Sequence, residues 1–360
     1  MTDRFNILIL DPFLGESHNS FWKAFQKNSV HNIEISTFPS KHWKLSSGLS
    51  SHVEVEKNKY DLFIASDFFD IATFKGLNPK LAHIPFICYF HENQLEYPVM
   101  AKDKRDDVFS LINYRNFLSS DANAFNSLWN YNSFKSGVSR LRKSMPSAFR
   151  RLIDINLISG KPPHIIYPGH FFNELPITIS KKGPLRIVWN HRWEHDKGTD
   201  TLLDLCKHIR DKNLNCLLDL CGEKSKNSNL GHKIKDILKD KLVNEAPYED
   251  KFDYYKALSK AHIVLSTAKH EFFGISVLEG ILHGACPILP NKLSYPELYS
   301  EYFENISFYE TTDELKSTVE RLTTGQAAVP KIKTNEIFKK FQFQKSKEKL
   351  DKLVIDTIKQ

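Results

Sequence analysis

The sequence predicts an α/β protein of two doubly wound units in tandem, each with a parallel sheet covered by helices. Short, continuous apolar runs alternate with helix-length amphipathic segments. Continuous apolar strands between helices are typical of a parallel sheet that is buried on both faces. The alternation stops at one polar, proline-containing stretch and then restarts, and a length of 360 residues also favours two domains.

The first unit begins with the opening residues of the chain. The sequence MTDRFNILILDPF has a short apolar run and no cleavage-site pattern, so it predicts a first strand rather than a signal peptide. Helices are predicted at Ser20–Lys27 and after Asp106. The predicted strands are Asn6–Leu10, Asn32–Phe38, Tyr60–Ser66, Pro85–Phe90, Asp121–Ser127 and His164–Gly169.

A polar segment with two prolines, 173–184, predicts a linker between a domain at 1–172 and a domain at 185–334. A C-terminal segment, 335–360, follows, and its charged pattern over Asn335–Lys359 predicts one long helix. The strands predicted in the second domain are Leu185–His191, Asn215–Gly222, His262–Ala268 and Cys286–Pro290. Its predicted helices are Thr199–Lys212, Asn229–Lys239, Asp250–Lys260 and Ile275–His283.

Composition narrows the class of protein. No apolar stretch is long enough to span a bilayer, so we expect a soluble, cytoplasmic protein without stable membrane association. Five cysteines at irregular spacing give neither a disulfide framework nor a zinc pattern, and no metal or cofactor is expected. The formal net charge of +7 permits a polyanionic partner without requiring one.

Polar side chains follow two predicted strands of the first unit, where doubly wound domains bind ligands. After the first strand, Gly15 permits close approach of the backbone, Ser17 can cap the next helix, and His18 completes the sequence DPFLGESH. Such a turn is a ready anion site, although an ordinary turn between strand and helix explains it equally. After the fourth strand, four polar residues stand in a row, more than a helix cap needs: His91, Glu92, Asn93 and Gln94.

The second unit has cations after one predicted strand and carboxylates after another. Arg192 and Lys197 precede a helix whose N-terminus normally favours acidic residues, so they favour an anionic ligand such as a phosphate. Glu271 follows the third strand, and Glu279 lies about one turn into the next helix. The residues at the helix start offer backbone N–H groups to an anion: Phe272, Phe273, Gly274 and Ile275.

These residues predict a site for a nucleotide-diphosphate sugar in the second unit, with the first unit closing over it. Carboxylates accept hydrogen bonds from vicinal hydroxyls, so one can bind a sugar ring and the other a ribose. The helix start between them can take the diphosphate. A capped helix with an N-terminal acid is common by itself, but the cations one strand earlier favour the ligand site.

The pair Glu271 and Glu279, with the upstream cations, resembles the donor site of retaining GT-B glycosyltransferases of the GT4 family. Four segments are similar, more specifically, to the tRNA-queuosine α-mannosyltransferase family: KHW (41–43), YFHENQLEYP (89–98), HRWEHDK (191–197) and STAKHEFFG (266–274). The similarity extends from ILILDPFLGESH to YPELY. It implies a GT-B fold, in which two Rossmann-like doubly wound domains face each other across a cleft.

The resemblance implies that mannose passes from GDP-mannose to the cyclopentenediol of queuosine in tRNA, with retention of configuration. By this likeness, Arg192 and Lys197 hold the diphosphate and stabilise the leaving group. Glu271 and the amides of 272–275 hold the sugar and phosphate, and Glu279 binds the ribose. The chain contains no Asp-x-Asp, which agrees with a metal-independent hexosyltransferase.

The same likeness assigns residues of the first domain. His91 is expected near the anomeric carbon, and the loop at Gly15, with Ser17 and His18, approaches the diphosphate. The chain departs from the family where Gly15 is followed by Glu16 rather than a second glycine. The residues implied for the acceptor are Lys41, His42, Trp43, Glu92, Asn93 and Gln94.

A second departure concerns the cations for tRNA. The family follows its KHW-like stretch with an arginine-rich run, whereas here Lys44 is followed by LSSGLS. The stretch from Ala122 to Ile153 contains no Asp or Glu and is an alternative source of cations, although a solvated helix face also explains it. Its basic residues are Lys135, Arg140, Arg142, Lys143, Arg150 and Arg151. Planar groups for an extruded base are Trp43, Trp129 and Tyr131.

Two other functions remain open from the residues. One keeps the GT4-type donor site with another nucleotide-sugar and transfers to a lipid, glycan or small molecule. The other is an RNA-binding protein that has kept the fold and lost the chemistry. Against the latter, the two cations and two glutamates of the donor site are all present.

Overall fold

The computed structural model describes residues 4–13, 15–38, 43–97, 107–176, 181–224, 229–244, 248–303 and 307–360. The chain forms two compact units. Unit 1 comprises residues 1–169 and 343–360, and unit 2 comprises residues 170–342. The chain therefore leaves unit 1, completes unit 2 and returns to unit 1 at its C-terminus. No helix in the described ranges is both long and apolar enough to cross a bilayer.

Unit 1 is built on a parallel sheet of six strands. The strands are β1 (Asn6–Asp11), β2 (Asn32–Thr37), β3 (Leu62–Ser66), β4 (Phe86–Phe90), β5 (Ala122–Phe125) and β6 (His164–Ile165). Their order is β2-β1-β3-β4-β5-β6, and in the register Ile7 lies opposite both Ile33 and Leu62. Every residue of β3 and β4 is buried, as in a sheet covered on both faces. The six predicted strands are confirmed, with shorter bounds for most.

Helices α1 to α7 connect or follow these strands. They are α1 (Glu16–Asn28), α2 (Trp43–Ser50), α3 (Ile71–Leu77), α4 (Asp107–Ser119), α5 (Leu128–Ser144), α6 (Ser147–Arg150) and α7 (Asn156–Ser159). The predictions of α1 and of α4 are confirmed. Phe21 and Trp22 of α1 are fully buried against the sheet, and so is Phe134 of α5 on the other apolar cluster of the unit.

Unit 2 also contains a parallel sheet of six strands. The strands are β7 (Leu185–Trp189), β8 (Cys216–Leu220), β9 (Leu242–Asn244), β10 (Ile263–Leu265), β11 (Cys286–Pro290) and β12 (Phe308–Tyr309). Their order is β12-β11-β10-β7-β8-β9, the strand order of a Rossmann fold. The four predicted strands are confirmed. The edge strands β9 and β12 were not predicted, because they are only three and two residues long.

The helices of unit 2 pack on both sides of this sheet. They are α8 (Thr199–Asp211), α9 (Leu230–Leu238), α10 (Lys251–Lys260), α11 (Ile275–Leu282), α12 (Tyr295–Tyr299), α13 (Thr312–Thr323) and α14 (Thr334–Lys340). The predictions of α8 to α11 are confirmed. Helix α8 packs against α9 and α13, and its buried Leu202, Leu205 and Ile209 form part of the main apolar core.

The C-terminal segment contains two helices, so the prediction of one long helix over Asn335–Lys359 is wrong. Helix α14 ends before Phe341, and α15 (Phe343–Ile358) begins two residues later. On either side of the break, Phe341 contacts Phe273 in unit 2 and Phe343 contacts Phe21 in unit 1.

In each sheet the strand order reverses at one point, between β1 and β3 in unit 1 and between β7 and β10 in unit 2. Ligands of open α/β sheets bind outside the carboxyl ends of the strands at such a point. The residues that directly follow these strands are therefore the first candidates for function.

Candidate active site

The centre of the unit 2 site is an ion pair between residues that follow β7 and β10. The Lys197 ammonium lies 3.2 Å from Oε2 of Glu271 and 3.1 Å from Oδ2 of Asp196, and it also donates to the carbonyl of His270 at 3.2 Å. Lys197 is 9 % exposed. Two carboxylates therefore supply the counter-charge of Lys197 from within the protein, so its position alone does not require an anionic ligand.

The ion pair between Lys197 and Glu271 is held in place by the backbone of the two loops that carry it. Gly198, at φ 68°, adopts the left-handed conformation, and a Cβ there would lie 1.8 Å from the Thr267 carbonyl oxygen. Thr267 donates its hydroxyl to the carbonyl of Lys197 at 2.7 Å and accepts from the Trp189 indole at 2.9 Å. The two strand ends are thus joined beside the ion pair.

Glu271 remains ionised at neutral pH. Burial alone would raise the pKa of Glu271, but the Lys197 ammonium outweighs it and holds the pKa below its usual value. Oε1 of Glu271 accepts from the Phe272 amide at 3.1 Å. That amide, predicted to bind an anion, is therefore already used, whereas the carboxylate keeps acceptor capacity for hydroxyl groups.

Helix α11 begins directly after this carboxylate. Gly274 occupies its cap position at φ 87°, and no side chain in the described ranges accepts a hydrogen bond from its first turn. The side chains of Phe272 and Phe273 are buried, so the segment contributes backbone rather than side chain to the site. The start of α11, at Gly274 and Ile275, thus offers N–H groups and the positive end of the helix dipole.

Glu279 lies on α11 and is held by a residue that the sequence analysis did not find. The Tyr254 hydroxyl, on α10, donates to Oε2 of Glu279 at 2.8 Å and accepts from the Asn190 amide at 3.1 Å. Asn190 also donates to the Ser276 carbonyl at 2.6 Å. Tyr254 and Glu279 are 25 positions apart, and only the packing of α10 beside α11 brings them together.

Two further residues follow β7. The side chain of Arg192 is half-exposed and lies 3.4 Å from Oε2 of Glu194. His191 is buried, and its Nε2 has no hydrogen-bond partner among the described residues. Burial and the nearby Lys197 ammonium lower the pKa of His191 to about 4, so this imidazole is neutral at physiological pH.

In unit 1, the carboxylate of Asp11 organises the end of β1. Its Oδ2 accepts from His18 Nδ1 at 3.0 Å and from the Trp22 indole at 2.7 Å. Its Oδ1 accepts from the Phe13 amide at 3.0 Å and from the Ser66 hydroxyl at 2.9 Å. Although burial opposes ionisation, His18 and the other donors lower the pKa of Asp11 to about 2.

His18 and His91 form a stacked pair beside Asp11. Their ring centroids are 3.8 Å apart with 24° between the planes. Burial disfavours a charge on His18, yet Asp11 raises the pKa of His18 above its usual value. Burial and the His18 charge hold the pKa of His91 well below its usual value. The pair therefore combines a ring whose surroundings favour the charged form, His18, with a ring whose surroundings favour the neutral form, His91. Nε2 of His91 has no hydrogen-bond partner among the described residues.

Asp67 fixes the backbone at His91. Its Oδ1 accepts from the His91 amide at 3.0 Å and lies 3.4 Å from the Glu92 amide. Its Oδ2 is buried without a hydrogen-bond partner in the part of the chain that the structure describes. Burial and the neighbouring Glu92 raise the pKa of Asp67 well above its usual value. Among the described residues, unsatisfied polar atoms therefore occur here on both His91 and Asp67.

The remaining residues predicted from the first domain have different surroundings. Asn93 is fully buried, and its amide donates to Asn130 at 2.8 Å, so it joins its loop to α5. Gln94 donates to Glu92 at 2.6 Å. Lys41 and His42 lie outside the described residues, and Trp43 is described only as the first residue of α2.

The loop after β1 differs from prediction in one detail. Helix α1 begins at Glu16 with Gly15 at its cap position, and no side chain of the described residues caps it. The prediction that Ser17 caps this helix is therefore wrong, since Ser17 is exposed within the first turn. A Cβ at Gly15 would lie 2.3 Å from the ring of Phe13, so a larger residue there would force that ring to move.

Asp11, His18 and His91 are close enough to be considered as metal ligands, with candidate atoms within 4.8 Å of one another. Their geometry fits an ion poorly. Both oxygens of Asp11 already accept two hydrogen bonds each. The lone pairs of two stacked imidazoles also lie in nearly parallel planes, which disfavours their convergence on one ion. We therefore interpret the three residues as a hydrogen-bonded and stacked cluster.

Two family models match the chain, one on each unit. Residues 6–168 match the model described as tRNA-queuosine alpha-mannosyltransferase N-terminal, and residues 171–341 match the model described as glycosyl transferases group 1. Together with the two Rossmann-like units, these matches define a glycosyltransferase of the GT-B fold. A Drosophila melanogaster protein, tRNA-queuosine alpha-mannosyltransferase, is 33 % identical over 327 residues, which are 86 % of this chain and 85 % of that protein. The chain belongs to the tRNA-queuosine alpha-mannosyltransferase family.

Solved structures agree on the fold. A sucrose-phosphate synthase from Thermosynechococcus elongatus aligns over 98 % of this chain and 99 % of its own, with a TM-score of 0.71 and 12 % identity. The Anabaena protein HepE in complex with UDP aligns over 98 % of this chain and all of its own, with a TM-score of 0.67 and 13 % identity. At such low identity, these likenesses concern the fold alone.

Proposed function

We propose that this protein transfers mannose from GDP-mannose to the cyclopentenediol of queuosine in tRNA, with retention of configuration. The observation that supports the chemistry is the buried Lys197–Glu271 ion pair in front of the uncapped start of α11. Membership of a family with a named tRNA-queuosine alpha-mannosyltransferase supports the choice of substrates.

Unit 2 is proposed to bind the nucleotide-sugar. Because Glu271 stays ionised, it can accept hydrogen bonds from the hydroxyls of the sugar. Glu279, oriented by Tyr254, is proposed to accept those of the ribose. The diphosphate would occupy the start of α11, where the helix dipole and backbone N–H groups favour an anion.

Arg192 and Lys197 are proposed to stabilise the leaving diphosphate as charge develops on it. The three N–H groups of Lys197 already face Glu271, Asp196 and the His270 carbonyl, so Lys197 is proposed to stabilise the phosphate chiefly through its charge. Half-exposed Arg192 has a planar guanidinium that suits two phosphate oxygens. We therefore expect Arg192 to make the larger share of direct phosphate contacts.

In the proposed reaction, the bond between the anomeric carbon and the phosphate oxygen breaks and GDP leaves. A queuosine hydroxyl forms the new bond on the same face, and its proton passes to the departing phosphate. Unit 1 is proposed to serve the acceptor side. Its neutral His91, with an unpartnered Nε2 among the described residues, would accept a hydrogen bond from a substrate hydroxyl. The reaction is proposed to need no metal or cofactor and to take place in the cytoplasm.

Incubation of the protein with radiolabelled GDP-mannose and bulk tRNA, with or without queuosine, tests the proposal. We expect label to enter only queuosine-containing tRNA. Label in a lipid, a glycan or a small molecule, or tight binding of a UDP-sugar with no label in tRNA, would keep the glycosyltransferase and overturn the queuosine assignment. Tight binding of tRNA without transfer of label to it would favour an RNA-binding protein without activity.

Glu271→Gln tests the donor site in the same assay. It removes one of the two carboxylate charges beside Lys197, and breaking a buried ion pair costs about 2 kcal/mol or more, so we expect kcat/KM to fall about 30-fold or more. The matched control is Glu336→Gln, on an exposed position of α14. Unchanged kcat/KM in Glu271→Gln, with its circular dichroism spectrum intact, would contradict the role given to Glu271.

A further inference from the structure

The loop that follows β4 contains the residues proposed to bind the acceptor. It lies along α5, which leads to a group of basic residues at its far end. Asn93 bonds to Asn130 in the first turn of α5, and a Cβ at Gly137 would lie 2.5 Å from Cβ of Leu95. Farther along the helix, Glu96 forms an ion pair with Arg140. The 17 residues of α5 extend about 25 Å from the strand end that holds His91.

Past this loop, the end of α5 and the short helix α6 form a basic turn. We define the basic turn as Arg142, Lys143, Arg150 and Arg151. The turn is held by its own arginines, because Arg142 Nε donates to the Arg150 carbonyl at 3.0 Å and Arg150 Nε donates to the Met145 carbonyl at 2.9 Å. Each guanidinium has five N–H groups, so most of its donors remain for another partner.

Among the described residues, no carboxylate forms an ion pair with the basic turn. Residues 122–153 contain no Asp or Glu, and within the described ranges no carboxylate lies within 4.0 Å of any of its four cations. The helix dipole favours cations in the last turn of a helix, which explains Arg142 and Lys143 on α5. The same effect is small for Arg151, which is exposed and caps the C-terminus of α6, a helix of only four residues.

We propose that the basic turn binds the phosphate backbone of the tRNA beside the nucleotide that accepts the sugar. This inference rests on the proposed function. RNA phosphates are bound chiefly by Arg and Lys, and one fixed arginine fork suits two phosphate oxygens. The residues proposed to bind the acceptor, in the loop after β4, lie near one end of α5, and the cations lie at its other end. The phosphates of a tRNA stem that runs along α5, away from the reacting nucleotide, would meet these cations.

The test uses Lys143 and Arg151, for which the described residues provide neither an ion pair nor a side-chain hydrogen bond. Arg142 and Arg150 are kept because they hold the turn. The double variant Lys143→Glu with Arg151→Glu is compared with Lys207→Glu and Lys233→Glu, which make the same charge change at exposed positions of α8 and α9. Dissociation constants for bulk tRNA are measured at several salt concentrations.

We expect the double variant to bind tRNA at least about tenfold more weakly at 100 mM salt. Its slope of log K against log[salt] should fall by about 1 for each phosphate that the variant no longer binds. The control variant should match the wild type in both tRNA affinity and salt dependence. Circular dichroism and the unfolding midpoint show whether either variant is folded, and Lys143→Gln with Arg151→Gln repeats the test at a smaller charge change.

If the folded double variant and the wild type had equal tRNA affinity and equal salt dependence, the proposal that the basic turn binds tRNA would be overturned. The proposed function would not be affected by that result. A wild type that neither binds nor modifies tRNA would overturn the proposed function, and the basic turn with it. The turn also exposes Phe149 and Leu152, at 54 % and 67 %. Loss of binding to anionic phospholipid vesicles, with tRNA affinity unchanged, would assign the turn to a membrane surface and overturn the proposal.

Discussion

Tyr254 shows how a single residue prepares a ligand group for its task. Its hydroxyl is buried between an acceptor, Oε2 of Glu279, and a donor, the Asn190 amide. Burial and the neighbouring Glu279 charge raise the pKa of Tyr254 well above its usual value, so the hydroxyl keeps its proton and remains a donor. The contact fixes the orientation of the carboxylate that is proposed to bind the ribose.

Tyr254→Phe removes this hydroxyl and keeps the ring. We expect KM for the nucleotide-sugar to rise about 5- to 15-fold, the equivalent of about 1–1.5 kcal/mol for one hydrogen bond, with kcat little changed. Steady-state kinetics at saturating tRNA measure this split. Tyr255→Phe, at the next position of α10, is the matched control. A fall in kcat with KM unchanged would contradict an effect through ground-state binding of the ribose.

The pKa of His191 makes the stability of the protein depend on pH. Its pKa in the folded protein is about 4, below the ordinary 6.5, so the unfolded chain takes up the proton first as pH falls. Its contribution to stability is therefore complete above pH 6.5 and is lost between pH 6.5 and 4. At pH 5 the loss is about 2 kcal/mol. Urea unfolding at pH 7 and pH 5 should show a smaller decrease in His191→Gln than in the wild type.

The exposed His232 on α9 provides the control for this measurement, because His232→Gln should follow the wild type at both pH values. A decrease in His191→Gln as large as that of the wild type would mean that other groups govern the acid sensitivity. His91, whose pKa is also held below its usual value, would be the next group to replace.

At the scale of elements, α11 depends on the conformation of one residue. Gly274 precedes the helix at φ 87°, and a Cβ there would lie 3.0 Å from Cε1 of Tyr295. Gly274→Ala places a side chain in a left-handed conformation that costs about 1–2 kcal/mol. We expect a lower melting temperature and a higher KM for the nucleotide-sugar, because the first N–H groups of α11 shift.

Gly76→Ala is the opposite case on α3. Nothing lies within 4 Å of the added Cβ, and the helical backbone suits alanine, so stability should rise by up to about 1 kcal/mol. Calorimetry on both variants compares the two glycines directly. Equal effects would show that the left-handed conformation at Gly274 has no energetic importance.

The elements also show what the sequence could and could not predict. Strands such as β4 were predictable because apolar residues fill them from end to end. The ends of these strands identified Lys197 and Glu271, since ligand groups of open sheets follow the strands. The stack of His18 on His91 depends on β1 and β4 being arranged around β3, which no local pattern contains. Asp196, by contrast, directly precedes Lys197 in the sequence, but only the local turn brings its carboxylate to 3.1 Å from the ammonium.

At the scale of the whole molecule, the chain closes unit 1 with its last helix. The residues of α15 come after all of unit 2, yet Leu350, Leu353 and Val354 belong to the apolar cluster of Trp22 and Ile7. Asp351 of this helix accepts from the Ser29 hydroxyl at 2.6 Å. Unit 1 is therefore complete only when the final residues of the chain have been added.

Leu350→Ala tests this dependence. Leu350 is fully buried, and removing its side chain should destabilise unit 1 by about 2–5 kcal/mol. The core of unit 2 contains no described residue of α15, so its stability should change little. Hydrogen exchange should accelerate in peptides from β1 and stay unchanged in peptides from β7. Lys352→Ala, an exposed neighbour on the same helix, should change both by no more than about 0.5 kcal/mol. Equal acceleration of β1 and β7 in Leu350→Ala would show that the two units unfold together, and that α15 stabilises the whole molecule rather than unit 1.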